Sequence, residues 1–157
     1  MNNKERFLQM AIELAKENVE KGNGGPFGAV IVKNGEVIAT GSNSVTTLND
    51  PTAHAEVTAI RNACKELNSF QLDDCEIYSS CEPCPMCLGA IYWARPKALY
   101  FAADKNDAAK AGFDDSFIYK EIKLDYSKRH IITQQINIKD KLKPFEVWDV
   151  SSLKMEY

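Results

Sequence analysis

Two apolar runs meet at Asn34-Gly35 in "PFGAVIVKNGEVIATGSN", and no other stretch narrows the possible folds as much. Asn-Gly suits the positive φ angles of a tight two-residue turn, so this segment predicts an antiparallel hairpin. Beyond the hairpin, helix and strand alternate. From Ala53, Val57, Ile60, Cys64 and Leu67 recur at helical spacing and predict a helix to about residue 68. "CEIYSS" reads as a short strand, "CPMCLGAIYWAR" as a helix with Pro85 at a favoured first-turn position, and "KALYFAA" as a strand. Upstream, Phe7, Met10, Ala11, Leu14, Ala15 and Asn18 predict an amphipathic helix over 3–21, stopped by Gly22, Gly24 and Gly25. Downstream, residues 107–123 read as short helical pieces, "HIITQQINI" as a fifth strand, and Pro144 opens a C-terminal helix. The order α-β-β-α-β-α-β-α-β-α predicts an α/β fold: a three-layer α/β/α arrangement whose five-stranded mixed sheet carries helices on both faces.

The 157 residues suit one domain, 1–157, and a domain of that length buries about 70% of its unfolded surface, enough for a core without any brace. A net charge of -3 argues against nucleic acid as an obligatory partner. "MNNKERFLQM" lacks the apolar run of a signal peptide, and no segment is apolar enough to span a membrane, which predicts a cytoplasmic protein. Residues 120–143 hold many Lys and Arg, but Glu121, Asp125 and Asp140 dilute them, so the run reads as a solvated face. Five cysteines in a reducing compartment point to metal or catalytic use rather than to a disulfide framework.

Three of those cysteines fall in "SCEPCPMC", where Cys81/Cys84 and Cys84/Cys87 form overlapping C-x-x-C pairs. Cys84 and Cys87 are three apart at a helix start, so both sulfurs can reach one side of the helix end, where the helix dipole favours thiolates. His54 lies thirty residues earlier, in "TAHAEV", with Glu56 two positions on. One imidazole and two thiolates suit zinc, and a three-ligand site leaves a fourth position open for water. A carboxylate beside it can move protons, and Glu56 is the candidate. There is one tension: helical positions i and i+2 point apart, so His54 and Glu56 share a site only over the helix end. Alone, each residue has a plainer reading. The C-x-x-C pair could be a redox pair, His54 a polar helix-start residue, and Glu56 a solvated first-turn carboxylate. Together they match the H-x-E plus P-C-x-x-C signature of zinc nucleobase deaminases.

On "GGPFGAVIVKNG", "NDPTAHAEVTAIR", "SCEPCPMCLGAIYWARPKA" and "AGFDDSFIYKEI", the chain resembles the cytidine-deaminase-like superfamily and, within it, the compact bacterial guanine deaminases. The last segment discriminates: where tRNA adenosine deaminases are expected to carry a glycine-rich stretch, this chain reads "DKNDAAKAGFDDSF", and it ends in Tyr157. The resemblance implies one Zn2+ per subunit on His54, Cys84 and Cys87, and proton transfer by Glu56 as guanine becomes xanthine and ammonia. It implies that Asn43, Ala55 and Asp115 contact the base and that Phe27 and Trp93 wall it. It also implies a homodimer in which a C-terminal segment, about 140–157, is exchanged so that Tyr157 closes the partner's site. Without the resemblance, Asn43 is a turn residue, Phe27 and Trp93 are core aromatics, Asp115 is a loop carboxylate and Tyr157 a frayed end.

Two alternatives stay open. The substrate could be another aminated base, such as tRNA adenosine, guanosine or cytosine. Or Cys81 could close the tetrahedron, leaving a zinc-braced binding module without catalysis. Against the second, Cys81 precedes Pro83 at a strand end and lacks the first-turn geometry that Cys84 and Cys87 share.

Overall fold

The structure is a computed structural model that describes residues 2–157. It divides into two compact units, Met1–Asp115 and Ser116–Tyr157.

In the first unit, α1 (Asn3–Glu20) starts from a capping box: Asn2 Oδ1 accepts from the Glu5 amide at 2.9 Å, and Glu5 Oε2 accepts from the Asn2 amide at 3.0 Å. The hairpin comes next as β1 (Gly28–Lys33) and β2 (Glu36–Ser42), with Asn34 and Gly35 at φ 53° and 82°, the two positive values that its turn requires. Then come a single-turn α2 (Val45–Leu48), α3 (Ala55–Leu67), β3 (Cys75–Cys81), α4 (Pro85–Ala94), β4 (Ala98–Ala103) and α5 (Lys105–Lys110). The sheet order is β2-β1-β3-β4. β1 is antiparallel to both β2 and β3, and β4 runs parallel to β3.

Alternation along the strands sorts side chains to two faces. Val30, Val32 and Tyr78 pack with Phe7 and Ala11 of α1. Ala29, Ile31 and Ile77 pack with Ala55, Ala59 and Ala63 of α3 and with Ile91 and Ala94 of α4. The three-layer arrangement therefore holds for this unit. Helix and sheet approach closely at Gly41 on β2, where an added Cβ would collide with the Ala55 carbonyl and the Ala59 amide of α3. Only a glycine lets that helix backbone lie directly on the strand, and the start of α3 is where the candidate ligand His54 is presented.

The second unit holds α6 (Ser116–Ile122), a 3-10 turn (Tyr126–Lys128) and α7 (Lys143–Asp149), none with a buried residue. The expected fifth strand is corrected here. The sheet has four strands, and "HIITQQINI" (130–138) pairs with no strand among the described residues. Isoleucine-rich composition favours extended backbone, but a strand exists only where a ladder partner and a buried face fix it. Ile131, Ile132, Ile136 and Ile138 are 76%, 88%, 67% and 63% exposed, so neither condition is met within this chain.

Gly41→Ala must push α3 off the sheet, and we expect a loss of about 1–3 kcal/mol, the usual cost of overpacking. It would be read as a lower urea midpoint with unchanged slope, accompanied by weaker retention of metal.

Candidate active site

The first turns of α3 and α4 converge at the C-terminal end of β3. His54 is the N-cap of α3, with extended backbone (φ -71°, ψ 158°), and Cys84 is the N-cap of α4, with φ -64° and ψ 168°. Neither side chain caps its own helix, so both are free to turn toward a common point. Pro85 occupies the first turn of α4, where it forfeits no helical hydrogen bond, and Cys87 sits one turn in, fully buried. His54 Nδ1 lies 3.5 Å from Cys84 Sγ and 3.4 Å from Cys87 Sγ. The three ligand atoms lie within 4.8 Å of one another.

This geometry removes the tension between His54 and Glu56. His54 precedes the helix while Glu56 is its second residue, so the two can meet over the helix end. Glu56 is only 5% exposed. Its Oε1 accepts from Ser79 Oγ at 3.0 Å, and its Oε2 accepts from Cys87 Sγ at 3.3 Å. Burial pushes its carboxyl above the usual range, opposed by hydrogen bonds from its own backbone amide, from Cys87 and from Ser79. A hydrogen bond from Cys87, reinforced by His54, holds Cys84 well below the ordinary thiol range. Cys87 is pushed up by that same bond and by burial, and the Cys84 sulfur raises His54. A half-buried imidazole and two sulfurs facing one point fit zinc with a fourth position left over.

Cys81 lies outside the trio. It is buried on β3, paired with Ala103, and its Sγ donates to the Asp104 carbonyl at 3.5 Å. Burial, with Glu56 adding to it, raises its thiol to about 11, which keeps it protonated. Among the described residues, the cluster able to hold a metal ion is His54, Cys84 and Cys87.

The other expected residues fall in different places. Asn43, 7% exposed, comes directly after β2; its Oδ1 accepts from the Gly25 amide at 3.1 Å and the Val45 amide at 3.4 Å. The next residue, Ser44, donates its amide to the Ala53 carbonyl at 2.9 Å, which ties Asn43 to the chain entering His54. Ala55 is fully buried at the start of α3. Phe27 meets Phe113 edge to face, with ring centroids 5.0 Å apart. Asp115 is half-buried; burial raises its carboxyl, and the Cys84 charge adds to the rise, so it feels the metal trio electrostatically. Trp93 stands on the last turn of α4, at the end away from Cys84, and is largely exposed. Tyr157 is exposed and belongs to the second unit.

Sequence reasoning missed three contributors. Ser79 holds Glu56. Phe113 braces Phe27. Asn18, buried on α1, donates through Nδ2 to the Asn43 carbonyl at 2.8 Å and the Gly25 carbonyl at 2.9 Å. A polar Asn on an otherwise apolar helical stripe was the available signal for the last.

Comparisons with known proteins agree with this geometry. A family model described as the cytidine and deoxycytidylate deaminase zinc-binding region matches residues 1–103. Guanine deaminase from Bacillus subtilis is 63% identical over 155 residues, 99% of each chain. Its X-ray structure superposes with a TM-score of 0.97 at 62% identity, covering 100% of this chain and 99% of that one. A tRNA-specific adenosine deaminase from Aquifex aeolicus is 42% identical over 78% of this chain and 84% of its own.

The site geometry separates the cysteines experimentally. Cys84→Ser and Cys87→Ser should each abolish stoichiometric zinc by elemental analysis, whereas Cys81→Ser should keep one zinc per chain.

Proposed function

The chain belongs to the cytidine and deoxycytidylate deaminase family defined by that zinc-binding region, and from this premise we infer that it hydrolyses guanine to xanthine and ammonia. The observation that carries the substrate is the likeness to a guanine deaminase along the whole chain, through residues 104–157 that lie beyond the shared family region. The tRNA-specific relative is more distant and covers less of the chain, and a net charge of -3 offers little to a polyanion.

His54, Cys84 and Cys87 would hold zinc, which when bound makes a water acidic enough to serve as a nucleophile near neutral pH. The chain's own residues do the remainder. Glu56 is buried and its carboxyl is raised above the usual range, which suits it to take up and give back a proton as a general acid-base must. It accepts a proton from the attacking water and passes it to the ring nitrogen beside C2, then takes the second proton from the new C2 hydroxyl and passes it to the departing amine. A C–O bond forms at C2, the C–N bond breaks, and ammonia leaves.

Asn43 commits its Oδ1 to two backbone amides, which orients the N–H donors of its amide for an acceptor on the base. Asp115 accepts from the purine's N–H groups, and Ala55 and Phe27 border the ring, with Phe113 steadying Phe27. A base whose donors and acceptors are arranged differently would leave these buried groups unpaired, which discriminates strongly.

Trp93 walls the base, and Tyr157 closes the pocket of a second copy of the chain through an exchanged segment of about 140–157. In support, residues 131–157 expose Ile131, Ile132, Leu142, Phe145, Val150, Leu153 and Tyr157, more apolar surface than an isolated soluble segment usually presents. None of the described helices is long and apolar enough to cross a membrane.

A panel of guanine, guanosine, adenine and cytosine, assayed for ammonia with zinc-loaded protein, tests the substrate; release from guanine alone is expected. Glu56→Gln should lower kcat by about 10²–10⁴-fold, the usual weight of an acid-base group, while zinc stays bound. Deleting residues 154–157 should suppress deamination with zinc content intact, and full activity in that variant would defeat the exchanged-segment assignment.

A further inference from the structure

We propose that Ser79 is the positioning residue for the Glu56 carboxylate: its hydroxyl pins Oε1 so that Oε2 alone faces the reacting atoms. This rests on the deamination reading and adds to it the means by which the proton relay is kept aimed.

Ser79 and Glu56 come from elements that meet only in the fold. Ser79 lies on β3, paired with Ala29 and Phe101, two residues from Ile77 and on the same face. That face packs against α3. Ser79 is 2% exposed and Glu56 5% exposed. No apolar packing requires a hydroxyl at this position, since its strand neighbours on that face, Ile77 and Cys81, present apolar or sulfur side chains. The hydroxyl donates to Oε1 at 3.0 Å.

Among the described residues, Cys87 is the other side chain that donates to this carboxylate, through Sγ to Oε2 at 3.3 Å. A cysteine that ligates zinc does so as thiolate and has no S–H to donate. Ser79 then remains the side-chain donor holding Glu56. A carboxylate carried by three rotatable bonds and held by no partner side chain samples several orientations. Fastened at Oε1, it presents Oε2 to Cys87 Sγ, which itself lies 3.4 Å from His54 Nδ1. Proton transfer needs the relay within hydrogen-bonding reach of both water and base, so a lost tether should slow the chemical step more than it weakens substrate binding.

Ser79→Ala and the isosteric poor donor Ser79→Cys test this in the full-length, zinc-loaded protein. We expect guanine turnover to fall about 10–100-fold in kcat in both, the range typical for losing a supporting hydrogen bond around a metal centre. KM should stay within about twofold and zinc content at one per chain, while Ser79→Thr, which keeps the hydroxyl, restores most of kcat. In single-turnover measurements, Ser79→Ala in a Glu56→Gln background should cost nothing further, because the tether acts only through the carboxylate. A kcat for both Ala and Cys variants within twofold of the parent would overturn the proposal. So would an equal loss in the Glu56→Gln background, or a fall in zinc content parallel to the fall in rate. Failure of the parent protein to deaminate guanine would instead overturn the underlying reading, a result separate from any outcome for Ser79.

Discussion

The convergence of two helix starts at the end of one strand is the constraint on which the site depends. His54 and Cys84 are both N-cap residues, with extended backbone and side chains that do not cap their helices. A helix start is a place where the chain changes direction under tight control, because the first helical turn fixes the residue that precedes it. It is also where aligned peptide dipoles present positive potential, which favours ionised sulfur and a carboxylate nearby. Two such starts brought together by the core give metal ligands and a buried acid in one volume with little dedicated scaffolding. The core clusters of Ala55, Ala59 and Ala63 on α3, and of Ile91 and Ala94 on α4, therefore set the metal geometry as surely as the ligands do.

Much of this was legible in the order of residues. The α1 pattern, the Asn34-Gly35 turn, α3, β3, α4 and β4 all form within one to three residues of their expected bounds, because each rests on local signals: periodicity, a turn pair, a proline at a helix start. The metal trio was legible for a related reason. Cys84 and Cys87 are neighbours on one helix, and the H-x-E pattern is short. What remained illegible depends on contacts between distant elements. The Ser79–Glu56 bond spans 23 positions, and the Asn18–Asn43 bond spans 25. No local pattern announces either. The expected strand at 130–138 failed for the opposite reason: its composition was persuasive, but the pairing partner that composition cannot supply is absent from the described residues of this chain.

The three sulfurs of "SCEPCPMC" show how little sequence distance says about chemical role. Cys81 and Cys84 are as far apart in sequence as Cys84 and Cys87. Yet Cys81 ends a strand, is held at the Asp104 carbonyl and is raised to about 11, while Cys84 opens a helix and ionises readily. Backbone direction at Pro83 and Pro85 separates the two outcomes, since it ends the strand before the helix begins.

The division of the chain after Asp115 has a consequence for how such proteins can change allegiance. The metal ligands and the acid lie wholly in the first unit, and the shared family region stops at residue 103. The hydrolytic toolkit can then be inherited intact while the remaining third of the chain drifts, splices or is replaced. Changes confined to that part of the chain would leave the metal ligands and the acid untouched.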